Sequence, residues 1–156
     1  MGRQSPRLHV TSGAVLLSWA LGCSVEPPRT EPASTPGHFG AYREVVAGAL
    51  DGDVQQTRRG ARDLLADVKT MDDPLVVAVG GAAGFLLVAE REELADGAVG
   101  LAKGCRSCHD DRGVVAPAPP AGDPGRVGWA LVFGGPEEVA AAERTVHAAI
   151  GTPGSP

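Results

Sequence analysis

The run Cys105-Arg106-Ser107-Cys108-His109 constrains this chain more than any other segment. On a helix, Cys105, Cys108 and His109 stand at i, i+3 and i+4, so all three side chains leave one face. Two thiols and an imidazole at this spacing form the attachment signature of c-type haem. The thiols add to the porphyrin vinyl groups, and the histidine becomes the proximal ligand of the iron. A flat macrocycle laid on that face is then held through its edges and its metal. Two other readings of the pair fit less well. A redox dithiol would accompany a βαβ pattern, and no clear one surrounds the motif. A zinc site would require two further ligands at similar spacing, and the sequence has none.

The third cysteine, Cys23, closes an N-terminal leader. Arg3, Arg7 and His9 precede an apolar stretch from Ala14 to Leu21, and Gly22-Cys23 follows. This is the layout of a secretory signal, and its apolar part is shorter than the roughly 20 residues that span a bilayer. Haem is attached to c-type cytochromes outside the cytoplasm, so an export signal is what the motif requires. The segment Ala20-Leu21-Gly22-Cys23 resembles a bacterial lipobox, with Ala20 where leucine is usual. That resemblance implies removal of residues 1–22, lipidation of Cys23, and anchoring in the cell envelope by lipid alone. The alternative is an ordinary signal peptide that leaves Cys23 free. Lipidation is preferred, because a free exposed thiol is a liability in an oxidising compartment.

Without residues 1–22, which hold two arginines and no acid, the chain keeps 12 basic and 19 acidic residues, a formal net charge of −7. Haem propionates would add to it. This balance argues against nucleic acid or anionic lipid as partners and for a basic redox partner protein. Aromatic residues are only 4% while Ala, Val and Leu abound, which favours packed helices over a β-sandwich.

Residues 23–37 are rich in Pro, Thr and Ser without apolar periodicity, and read as a disordered tether. Helical spacing then predicts a first helix over 38–50, with Phe39, Tyr42, Val46 and Leu50 on one stripe and His38, Tyr42, Val45 and Ala49 beside it. Asp51-Gly52-Asp53 ends it and caps a second helix over 54–69. Asp73-Pro74 starts a third, over 74–89. That segment carries no charge. With Gly80, Gly81 and Gly84 it is too short and broken for a membrane span, and it reads as a core helix in preference to a buried strand. A fourth helix over 92–110 carries Leu94, Ala98, Leu101, Cys105 and Cys108 on its inner stripe. Its Gly97, Gly100 and Gly104 each cost about 1 kcal/mol of helix propensity, so either the porphyrin or a neighbouring helix lies close, or small residues simply pack there. Residues 113–125 form a loop, followed by helices over 126–133 and 137–150. A disordered tail covers 151–156. The fold expected is all-α: an antiparallel four-helix bundle with the haem site near its C-terminal end, plus one or two extra helices.

In an up-down-up-down bundle the start of helix one, the end of helix two, the start of helix three and the end of helix four share one end. Residues near 38 and 69–75 therefore face the haem. Beyond the leader, the possible sixth ligands are His38, Met71 and His147. His38 is preferred, with Met71 and His147 as lesser candidates and an open site as the remaining case.

The motif at the end of a fourth helix resembles the class II c-type cytochromes, the helical-bundle group that includes cytochrome c′. The resemblance covers about residues 38–112. It implies one covalent haem c on Cys105 and Cys108, with His109 as proximal ligand. The low-spin relatives take a distal ligand from the first turns of helix one, where His38 stands, though a methionine is usual there. The family also ends soon after the motif, whereas 47 residues follow His109 here; those residues are placed to cover the haem or to supply His147.

Two imidazoles on one iron leave no substrate position, so electron transfer is the function expected. The competing reading is a five-coordinate haem that binds NO or CO in apolar surroundings from Phe39, Leu75 and Val76. An enzyme is not expected, because nothing demands the polar distal base and arginine of a peroxidase. An accessory lipoprotein of a larger respiratory or metal-reducing assembly would carry the same motifs.

Overall fold

The computed structural model describes residues 37–71 and 73–151. The expected leader, lipidation at Cys23, most of the tether and residues 152–156 lie outside the described residues. Among the described residues all regular structure is helical. Helices α1 (Gly37–Asp51), α2 (Val54–Val68), α3 (Pro74–Leu86), α4 (Leu94–Asp111), α5 (Asp123–Phe133) and α6 (Pro136–Gly151) follow in order, with a short 3-10 turn at Arg91–Glu93 before α4. No described helix is long and apolar enough to cross a membrane.

Local chemistry sets the boundaries. α1 ends where Gly52 takes φ +64°. Asp53 N–H then donates to Gly48 O at 2.8 Å and Gly52 N–H to Ala49 O at 3.3 Å, the paired bonds of a Schellman cap. The Asp53 carboxylate turns to the next helix and accepts from Gln55 N–H and Gln56 N–H at 2.8 and 2.9 Å, capping α2. α3 is shorter than the expected 74–89. Arg58 on α2 donates to Ala89 O at 3.1 Å, and the Glu93 carboxylate accepts from Glu90 N–H at 2.9 Å. These bonds hold a turn where the apolar pattern alone would continue a helix. α5 begins three residues before the expected Arg126. Asp123-Pro124 supplies a helix-starting proline, the same signal that marks α3. α1 and α6 each gain one residue from the expected tether and tail, Gly37 and Gly151.

α1 packs on α2, α2 on α3 and α3 on α4, while α5 and α6 lie against α1 and α4. The α1–α2 crossing is tight. A Cβ at Gly48 would stand 2.5 Å from Thr57 N, and one at Gly60 2.7 Å from Val45 N. Val45, Val46, Leu64, Leu86, Leu94, Leu101 and Val146 are fully buried, so all helices except α5 contribute to the innermost core, and Leu131 and Val132 of α5 pack against it. α3 approaches the α4 glycines: a side chain at Gly97 would collide with Leu86, and one at Gly104 would touch the Val79 backbone at 3.5 Å. A neighbouring helix is therefore what lies against two of these three glycines; Gly100 has nothing close.

Candidate functional site

The motif residues occupy the last turns of α4. Asp111 ends that helix, and Gly113 takes φ +59°. Val114 N–H then donates to His109 O at 2.9 Å and Gly113 N–H to Asp110 O at 3.1 Å, a second Schellman cap. The cap folds the following loop back over the motif. Cys105 is half-buried and Cys108 buried, and both are free thiols.

Cys105, Cys108 and His109 line a cavity of about 490 Å³ at this end of the helices, within the range of roughly 300–1,000 Å³ common for small-molecule and cofactor sites. Its floor is aliphatic: Leu64 and Val68 near the end of α2, Val76 and Val79 of α3. His38 and Phe39 of α1 and Met71 of the α2–α3 link complete this side. On the other side stand Val114, Val115, Pro117 and Pro120 of the loop and Phe133, the last residue of α5.

His38 and His109 lie with ring centroids 6.2 Å apart and planes at 70°. Two imidazoles that share one metal, each nitrogen about 2 Å from it, have ring centres roughly 6 Å apart. Among the described residues no three His, Cys, Asp or Glu side chains converge to hold a bare metal ion. The donor set thus fits a flat, mostly apolar group with a metal at its centre better than a caged ion. Met71 lines the same cavity and is 38% exposed. His147 is not brought to it. His147 sits on α6 with Nε2 3.8 Å from Asp96 Oδ1, in the first turn of α4, at the opposite end from the motif. α6 runs back along α4, from Glu143 beside Lys103 to His147 beside Asp96, which sequence spacing does not reveal.

The electrostatics suit a neutral donor. Burial first, then the His38 imidazole and the Arg112 guanidinium, hold His109 below its ordinary value, against Asp110, which raises it. A neutral imidazole is the form that ligates a metal. Burial, with Cys108 beside it, pushes the Cys105 thiol up to about 12. Such a thiol stays protonated at neutral pH, unlike the low-pKa cysteine of a dithiol oxidoreductase. Arg112, at the cap of α4, is paired with Asp73 at the start of α3.

Three contributors escaped the sequence reading. Arg106, inside the motif, reaches α5. Its guanidinium donates to Leu131 O at 3.2 Å and Gly134 O at 2.8 Å, with a longer contact to Ala130 O. Cationic groups at a helix C-terminus satisfy its last carbonyls. Trp129 Nε1 donates to Pro117 O at 2.8 Å and ties the loop to α5. Phe133 stacks on His109, centroids 5.0 Å apart and planes at 21°. The sequence predicts the loop and a helix over 126–133 for this wall, but spacing does not give these individual contacts. No protein-family model, curated protein or solved structure matches the chain.

Proposed function

We propose that the chain is a monohaem c-type cytochrome that transfers electrons in the bacterial cell envelope. In this reading α1–α4 form an antiparallel four-helix bundle of the class II kind. The carrying observation is that the Cys105/Cys108/His109 face opens onto an apolar cavity with a second imidazole, His38, 6.2 Å from His109. When bound, haem c would supply a one-electron iron couple at this position. Cys105 and Cys108 would hold it covalently. His109 would be the proximal ligand and His38 the distal one, with Met71 as the lesser candidate. The aliphatic floor excludes water, which is a lever on redox potential. Export, lipidation at Cys23 and a basic redox partner complete the reading, supported by the leader and the acidic charge of the chain.

A second reading, five-coordinate NO or CO binding, is favoured by the same apolar walls around Phe39, Val68 and Val76. An absorption spectrum of the exported protein, oxidised and reduced, separates the two. Covalent haem with a low-spin spectrum unchanged by CO supports electron transfer. A high-spin, CO-responsive spectrum moves the function to gas binding. No covalent haem rejects both.

A further inference from the structure

Ligating histidines almost always donate their second ring N–H to a carbonyl, carboxylate or water, which orients the ring and raises its basicity. His109 departs from this. Its Nδ1 is buried and has no hydrogen-bond partner. In place of an acceptor, the imidazole has the face of Phe133 at 5.0 Å and 21°. The backbone that carries that ring is held on both sides. Arg106, one turn before His109, grips the carbonyls at the end of α5. Gly134 continues the chain where any Cβ would stand 2.5 Å from Ala130 O, so the backbone after Phe133 can follow only a tight path.

We infer that Phe133 is the positioning residue of the proximal histidine, orienting His109 by face stacking and shielding Nδ1 from acceptors and water, and so raising the reduction potential of the site. The inference rests on the haem reading above. Its physical basis is that a hydrogen-bonded Nδ1–H makes imidazole a stronger donor, which favours oxidised iron; a dry, unbonded Nδ1–H does the reverse.

The test uses haem-loaded full chain from a host that attaches haem, with spectroelectrochemical titration of the wild type, Phe133→Tyr, Phe133→Leu and Phe133→Ala. The exchange of the His109 Nδ1 proton with solvent is followed by NMR in each. Phe133→Tyr keeps the stack and is expected at the wild-type potential. Phe133→Ala is expected to shift the reduced-to-oxidised ratio about tenfold towards oxidised, which is about 59 mV for one electron, with faster Nδ1 proton exchange. Phe133→Leu should fall between. An unchanged potential and exchange rate in Phe133→Ala overturns the inference. So does an equal shift in Val132→Ala, a buried residue that directly precedes Phe133 in the chain. Should Phe133→Ala lose haem, a lower potential in Phe133→Leu than in Phe133→Tyr sustains the inference and equality overturns it. A wild type without haem rejects the cytochrome reading itself, whereas a loaded wild type with unresponsive variants rejects only the role of Phe133.

Discussion

The two walls of the cavity are built by different means. The α1–α3 wall is apolar packing, aliphatic side chains with Phe39 and Met71, around one imidazole, His38, which sits on the second residue of α1. The α4–α5 wall is cross-linked by directional bonds: Arg106 to the end of α5, Trp129 to Pro117, and Phe133 stacked on His109. Packing alone leaves a helix-end residue free to exchange, because first-turn backbone groups lack intrahelical partners. Directional bonds from several elements fix a group in place. If the site holds haem as proposed, this difference predicts a fixed ligand on the bonded wall, His109, and an exchangeable one on the other, His38.

The sharpest test of the bonded wall is Cys105→Ala with Cys108→Ala. Covalent haem should be abolished, read as loss of the haem band on a denaturing gel. On the opposite wall, His38→Ala should convert a low-spin spectrum to a high-spin one that responds to CO; a spectrum that stays low-spin removes His38 from the distal role and turns attention to Met71. Arg106→Ala should cost about 2 kcal/mol in denaturant unfolding, since it leaves charge-assisted bonds unmade. Trp129→Phe removes one partly exposed bond and should cost about 1 kcal/mol or less, with faster proteolysis of the 114–120 loop. The smallest effect concerns pH. Burial holds the His109 imidazole of the haem-free protein below its ordinary value, so the unfolded chain binds that proton more readily. Its contribution to stability is present above about pH 6.5 and is lost as pH falls towards the folded value. A His109→Gln protein should show a flatter acid limb in the same titration.

How much of this was legible differs between the walls. His38, Met71 and the motif were placed at one end because apolar periodicity, the caps at Gly52-Asp53 and the start at Asp73-Pro74 give helix directions. The structure brings them to one cavity. His147 was a candidate by residue type alone, and α6 carries it away to Asp96. Phe133 and Arg106 lay beyond the reach of spacing arguments. Helical periodicity says which residues share a face, but not which distant carbonyl an arginine finds. The early end of α3 was hidden for the same reason, since Arg58 caps Ala89 from another helix.

By itself the sequence determined the chemistry that one helical face presents, because the relative positions of Cys105, Cys108 and His109 follow from helix geometry over a single turn. It also determined the helical class, through composition and periodicity. Helix directions also bring His38 to the same end, but the tertiary structure alone decided its distance from His109, Phe133 on the imidazole, and α3 against Gly97 and Gly104. The physical reason is that covalent spacing acts along the chain. The mutual approach of helices depends on how every side chain in the core packs at once.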